Sequence, residues 1–223
     1  MTPFLFGLAL TLAVIHWITV YKYWYKAELF FKPAVMAVLL IILFIAGPDF
    51  KNGLAFFVAA IFFSMLGDLL LLFPKRFIFG LVMFLLAHLL YVLAFLFPFI
   101  LPTPLMLLLA ILVALPAAWF YRRVRAGMRE KGWRHLSKPI LAYLVILSIM
   151  FLSALATLFR ADWPLNAALL VSGGALLFVS SDGLLAWNKF VRPLRTRRVG
   201  YMIAYHLGQM LIVAGALWRL GYF

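Results

Sequence analysis

Long apolar runs, each near the length that crosses a bilayer, recur along the chain and are separated by short polar segments. They fall near residues 4–21, 33–47, 54–73, 77–97, 103–121, 139–159, 164–187 and 199–219. About 20 apolar residues at roughly 1.5 Å rise span a hydrocarbon core, so the pattern predicts eight transmembrane helices. The run over 33–47 is short, which predicts a more upright or partly interfacial helix. Helix breakers lie between the runs: Gly47-Pro48-Asp49, Pro74, Pro98, Pro102 with Pro104, Pro139, Pro164 and Pro193. Period-two alternation is missing, and an open sheet edge cannot face lipid. The predicted class is all-α: a polytopic membrane protein with eight transmembrane helices in one bundle. No polar stretch is long enough for a separate soluble unit, so a single domain over 1–223 is expected, with approximate halves 1–102 and 103–223.

Composition agrees with that reading. Hydrophobic residues make up 68% of the chain and charged residues 12%, and the mean hydropathy is +1.12. The formal charge of +14 raises the possibility of nucleic acid. The basic residues, however, sit between apolar spans, where the facing anion is a lipid headgroup, so the bilayer is the expected partner and nucleic acid is not. Their distribution is one-sided. Lys22, Lys26 and Lys32, then Lys75 and Arg76, then the seven from Arg122 to Lys138, then the five from Lys189 to Arg198 account for 17 of 20, leaving Lys51, Arg160 and Arg219 on the other side. The positive-inside rule predicts that the four basic segments face the cytoplasm and both termini lie outside it, and the short loops and lean termini point to a bacterial cytoplasmic (inner) membrane. The opening Met-Thr-Pro-Phe has no basic n-region, which predicts a retained first helix. The absence of cysteine excludes disulfides, thiolate metal sites and a cysteine nucleophile.

Two carboxylates interrupt the apolar runs: Asp68, in Ser64-Met-Leu-Gly-Asp68, and Asp182, in Ser180-Ser181-Asp182-Gly183. An acid within a transmembrane segment is costly and usually pairs, faces a cavity or does chemistry. Each precedes a loop lysine by seven residues, Lys75 and Lys189. Together with Lys32-Pro33 against Lys138-Pro139 and His88 against His206, this spacing suggests a parallel four-plus-four internal repeat. It also predicts the two acids at matching depth, in one polar pocket rimmed by basic residues. His88 with Tyr91, and His206 with Tyr205 and Gln209, come from the neighbouring spans and share helix faces. Paired carboxylates in a low-dielectric pocket tend to share one proton, which supplies an acid and a base for general acid/base chemistry. Lys32 either binds a phosphate or snorkels to the interface. Ser64 and Ser181 read as packing or substrate-facing hydroxyls, not nucleophiles, and His16 as interfacial or packing. The glycines at 67, 173, 174 and 183 predict close helix approach. There is no G-x-S-x-G elbow, phosphate-binding loop or H-E-x-x-H helix. Asp68, His88, Asp182 and His206 could together hold a metal, but no spacing demands it, and no cofactor is expected.

Lys32-Pro33; Ser64-x-x-Gly67-Asp68; Gly80 followed by Phe84-x-x-Ala87-His88-x-x-Tyr91; Gly174-Ala175-x-x-Phe178-x-x-Ser181-Asp182-x-x-Leu185-Ala186; and Tyr205-x-x-x-Gln209 together resemble the YhhN-like family of eight-span membrane proteins, which includes the vertebrate lysoplasmalogenases. The resemblance implies hydrolysis of the vinyl ether bond of a lysophospholipid substrate, releasing a fatty aldehyde and a glycerophospho-alcohol. It maps the family's paired acids onto Asp68 and Asp182. One acid would protonate the vinyl carbon and the other would steady the oxocarbenium ion, while Lys32, Ser64, His88, Tyr91, Ser181, Tyr205, His206 and Gln209 bind substrate or water. Two other readings stand beside it: a proton-coupled transporter, and a metal-dependent lipid amidase or esterase.

Overall fold

A computed structural model describes residues 2–47, 53–98, 104–194 and 198–222. The breakers Pro48, Asp49 and Pro102 and the basic residues Lys51, Arg195 and Arg197 lie outside the described residues. Eight α-helices follow in order: α1 (Thr2–Tyr21), α2 (Tyr25–Ala46), α3 (Leu54–Leu71), α4 (Phe77–Leu96), α5 (Pro104–Glu130), α6 (Ser137–Ala156), α7 (Leu165–Ala186) and α8 (Val199–Arg219). Each is long and apolar enough to cross a membrane, and no strand occurs among the described residues. The chain is an integral membrane protein.

Two helices are longer than the apolar runs indicate. Instead of starting at Pro33, α2 begins at Tyr25 and carries Lys26, Glu28 and Lys32 as helical residues, so it is a full-length span and not a short one. Pro33 removes one backbone hydrogen bond, but the charges beside it are neutralised within the protein. Glu28 pairs with Arg198 at 2.8 Å, and Lys32 pairs with Asp68 at 3.0 Å. Likewise α5 runs through Pro116 to Glu130, so Arg122, Arg123, Arg125 and Arg129 lie on a helix and not in a loop. Its basic end is held where Val124 and Met128 pack with Ile140 and Phe190. Phe190 belongs to a π-turn, Trp187–Val191, that closes α7.

The helix α8 is the centre of the packing. It contacts α1, α2, α3 and α7 and is the most buried span. It approaches α7 closely because glycines face each other. A Cβ on Gly174 would lie 2.7 Å from the Gly208 carbonyl oxygen, and one on Gly208 would lie 2.8 Å from that of Gly174. Gly173 and Gly183, by contrast, meet no close neighbour and do not serve that purpose. The helix α5 is the outlier. It packs on α6 and on the π-turn, while its apolar length contributes nothing to the interior.

At the end away from the basic segments, an arginine closes the bundle. Arg160 is buried and donates to the carbonyls of Phe95, Phe97 and Pro98 at 3.1, 3.3 and 3.0 Å, satisfying groups left open where α4 ends. Its guanidinium also holds Asp162 at 2.8 Å, and Arg219 holds the same carboxylate at 2.9 Å. Partial burial pushes the Asp162 carboxyl up, but the bond to Arg160 and the charges of Arg160 and Arg219 outweigh it, and the group titrates below its usual range. The clamp therefore keeps its anion at neutral pH. Arg160→Met leaves three carbonyls without that donor, and thermal unfolding in detergent is expected to show a loss of about 2–3 kcal/mol. An unchanged melting temperature would mean the clamp carries no stability.

Candidate active site

The structure divides the polar residues of the spans into three groups. In the first, Asp68 sits near the end of α3 with 1% of its surface exposed. Lys32 Nζ approaches its Oδ1 at 3.0 Å and its backbone carbonyl at 3.4 Å, and the Tyr205 hydroxyl donates to Oδ2 at 2.7 Å. One layer further in, the Tyr91 hydroxyl donates to Gln209 Oε1 at 2.5 Å, and Gln209 Nε2 donates to Ser64 Oγ at 3.1 Å. All six side chains are buried. Lys32 neither snorkels nor stands free for a phosphate, because a buried ammonium held by a carboxylate is already committed.

The second group surrounds Asp182. The Tyr143 hydroxyl of α6 donates to its Oδ2 at 2.5 Å, and His88 Nε2 lies 3.7 Å from the same oxygen. The His88 ring stands edge-on to Tyr143 and packs on Phe178, with centroids 5.4 and 4.8 Å away. The imidazole is fully buried, and among the described residues no side chain hydrogen-bonds to either of its nitrogens. Phe84 and Phe178 pack on each other and both pack on Tyr205, so aromatic rings stand between the two groups.

Asp68 is not on the wall of the cavity that Asp182 lines. Asp182 opens onto a cavity of about 650 Å³, walled by the ends of α3 and α4 and by α5, α6 and α7. Its lining is almost wholly apolar, including Leu81, Phe84, Leu112, Leu147, Phe151 and Leu176. Asp68 and all eight residues expected to bind substrate are missing from that wall. The cavity exists because α5 leans on α6 and the π-turn and stands off from α4 and α7. Asp182 is the one charged side chain on the wall among the described residues, with Tyr143 beside it.

The third group makes its hydrogen bonds with other elements. His206 accepts a hydrogen bond at Nδ1 from Trp17 Nε1 at 2.9 Å and meets His16 edge-on at 5.1 Å. It faces α1, and His16 is fully buried, not interfacial. Ser181 donates to the Tyr201 carbonyl at 2.8 Å, fastening α7 to α8. Adjacent residues on a helix point about 100° apart, so these neighbours of Asp182 and Tyr205 contact other elements. Among the described residues, no three His, Asp or Glu side chains come together as a metal-ligand set.

With eight spans and an acid within each of α3 and α7, the comparisons settle the lineage. The YhhN family model matches residues 27–216. This chain belongs to the YhhN family. Among its relatives, the human lysoplasmalogenase TMEM86B is 35% identical over 154 residues, which cover 69% of this chain and 60% of the human protein. The pig lysoplasmalogenase TMEM86B is 35% identical over 181 residues, covering 79% of this chain and 70% of the pig protein. A Mycobacterium tuberculosis lysoplasmalogenase is 32% identical over 190 residues, covering 82% and 67%. The chain thus spans about 60% of the length of the human, rat and mouse relatives it matches. No solved structure gives a significant match. The YhhN match takes in Glu28, Lys32, both aspartates, His88, Tyr143 and Tyr205, and leaves out His16 and Trp17 of α1. Tyr143 was not anticipated. It lies one turn into the sixth apolar run, near an end where aromatic anchors gather, so nothing in the sequence sets it apart from an interfacial tyrosine.

Proposed function

We propose that this protein is a membrane hydrolase that cleaves the vinyl ether bond of lysoplasmalogens to a fatty aldehyde and a glycerophospho-alcohol. The observation that carries the reading is a single acid, Asp182, set in the wall of an otherwise apolar cavity. An apolar cavity of this size suits an alkenyl chain, and the names of the relatives point to the same substrate class.

In this reading Asp182 begins protonated and gives its proton to the outer vinyl carbon. The double bond supplies the electron pair for the new C–H bond, and the ether oxygen donates a lone pair to form an oxocarbenium ion. The carboxylate, positioned by the Tyr143 hydroxyl and backed by His88, stabilises that cation at short range in a low-dielectric wall. It then takes a proton from an attacking water, whose oxygen bonds to the cationic carbon and forms a hemiacetal. Transfer of the hydroxyl proton to the glycerol oxygen, with breakage of the C–O bond, releases both products and leaves Asp182 protonated again. Asp68, tied to Lys32 behind the Phe84–Phe178 partition, keeps the α2–α3–α8 junction fixed and does not meet the reacting bond. The one-sided basic segments support an orientation in which they face the cytoplasm.

The test is mass spectrometry of products from purified protein given a lysoplasmalogen and its saturated-ether and ester analogues, with and without EDTA. Aldehyde is expected from the vinyl ether alone, in equal amount with the chelator. Release from the ester instead, or no product from the vinyl ether, would overturn the assignment.

A further inference from the structure

With Lys32 committed to Asp68, the phosphate of such a substrate needs another cation, and the geometry points to Arg122 and Arg125. We propose that these two arginines of α5 form the phosphate subsite, reached from the Asp182 cavity by a passage between α5 and α6. The proposal rests on the lysophospholipid reading above.

Three observations support it. A second groove, of about 500 Å³, lies on the other side of the α5–α6 contact and has Arg122 and Arg125 in its lining. It adjoins the cavity: Val113, Ala117, Tyr121, Leu144 and Ser148 line both. Both arginines are exposed, and neither pairs with an acid among the described residues. They stand three residues apart on one helix face, a spacing that lets two guanidinium groups grip one phosphate. The same groove is lined by Ala110, Ala114, Ala117 and Ala118 of α5, small side chains that leave little bulk between it and the cavity.

The distances agree with a glycerol backbone. The Tyr121 hydroxyl donates to the Ser137 carbonyl at 3.0 Å, which sets the start of α6 level with the arginines. Tyr143, the partner of Asp182, lies six residues further along α6, about 9 Å at the helical rise. A lysophospholipid with its vinyl ether at Asp182 and its chain among the cavity's leucines and phenylalanines would present its phosphate at that level. Among the described residues, no lysine or arginine of the other basic segments lines either cavity.

The experiment separates this subsite from the hydrolysis itself by measuring binding of two lipids that lack the vinyl bond. Purified protein in detergent is titrated with a saturated 1-O-alkyl lysophosphatidylethanolamine and with the matching 1-O-alkylglycerol. The wild type is expected to prefer the phosphate-bearing lipid by about tenfold or more, the size of one or two charge-assisted contacts. In R122Q/R125Q that ratio falls toward one. In R122K/R125K, which keeps the charge, much of it returns, and in the control K22Q/R76Q it stays at the wild-type value. No preference in the wild type, or an unchanged ratio in R122Q/R125Q, would overturn the subsite even if aldehyde is released from the vinyl ether. A lost preference in a protein that releases no aldehyde would keep the subsite and remove the hydrolysis.

Discussion

Asp182→Asn is expected to lower aldehyde release from a lysoplasmalogen by about a thousandfold or more while the protein stays folded. General acid/base catalysis contributes factors of roughly 10² to 10⁴, and Asp182 is assigned two successive proton transfers with no other charged group on the cavity wall among the described residues. Asparagine keeps the carbonyl oxygen that accepts the Tyr143 hydroxyl, so the α6–α7 contact survives. What it loses is the proton for the vinyl carbon and the negative charge for the oxocarbenium ion. Tyr143→Phe should cost less, about tenfold to a hundredfold, because it removes only the positioning bond and leaves the acid in place. The measurement is the initial rate of aldehyde formation in detergent micelles, with gel-filtration profile and melting temperature as controls for folding. Asp182→Asn activity within tenfold of wild type would place the chemistry elsewhere.

The eight spans were legible because each needs a long apolar run, and hydropathy reads that directly. Their ends were less so. A charged residue counts against a span when it is read alone, yet Glu28 and Lys32 are inside α2 because Arg198 and Asp68, far away in sequence, neutralise them. The arginines of α5 continue a helix instead of a loop because Gly127 lets the α5 backbone approach the Phe190 carbonyl. That contact joins residues that no local window sees together. The two intramembrane acids were equally plain, since an aspartate in an apolar run stands out by cost alone. Their division of roles was not. Equal depth along parallel helices says nothing about which face each acid takes, and a single pocket for both was the natural inference from depth. The structure gives Asp68 an ammonium partner and a ring partition and gives Asp182 the cavity, a difference set by which helices pack against α3 and α7.

That difference makes Lys32 and Asp68 the sharpest stability test in the molecule. Lys32→Met removes the cation and leaves the Asp68 carboxylate buried with the Tyr205 hydroxyl alone. Breaking one side of a buried ion pair costs about 3–5 kcal/mol, and thermal unfolding of the detergent-purified variant should show a loss of that order or a failure to accumulate. Asp68→Asn strands the ammonium instead and should also destabilise, though the asparagine oxygen keeps an acceptor for Tyr205. The double variant Lys32→Met/Asp68→Leu removes both charges and replaces them with apolar groups. It should recover most of the lost stability, since exchanging a whole buried pair for apolar side chains is often neutral. Activity then decides what Asp68 does. If its part is to hold α2, α3 and α8 together, the refolded double variant releases aldehyde at a rate near that of wild type. A double variant that is stable and well folded yet inactive would make Asp68 a second participant in the reaction, and the mechanism would need both carboxylates after all.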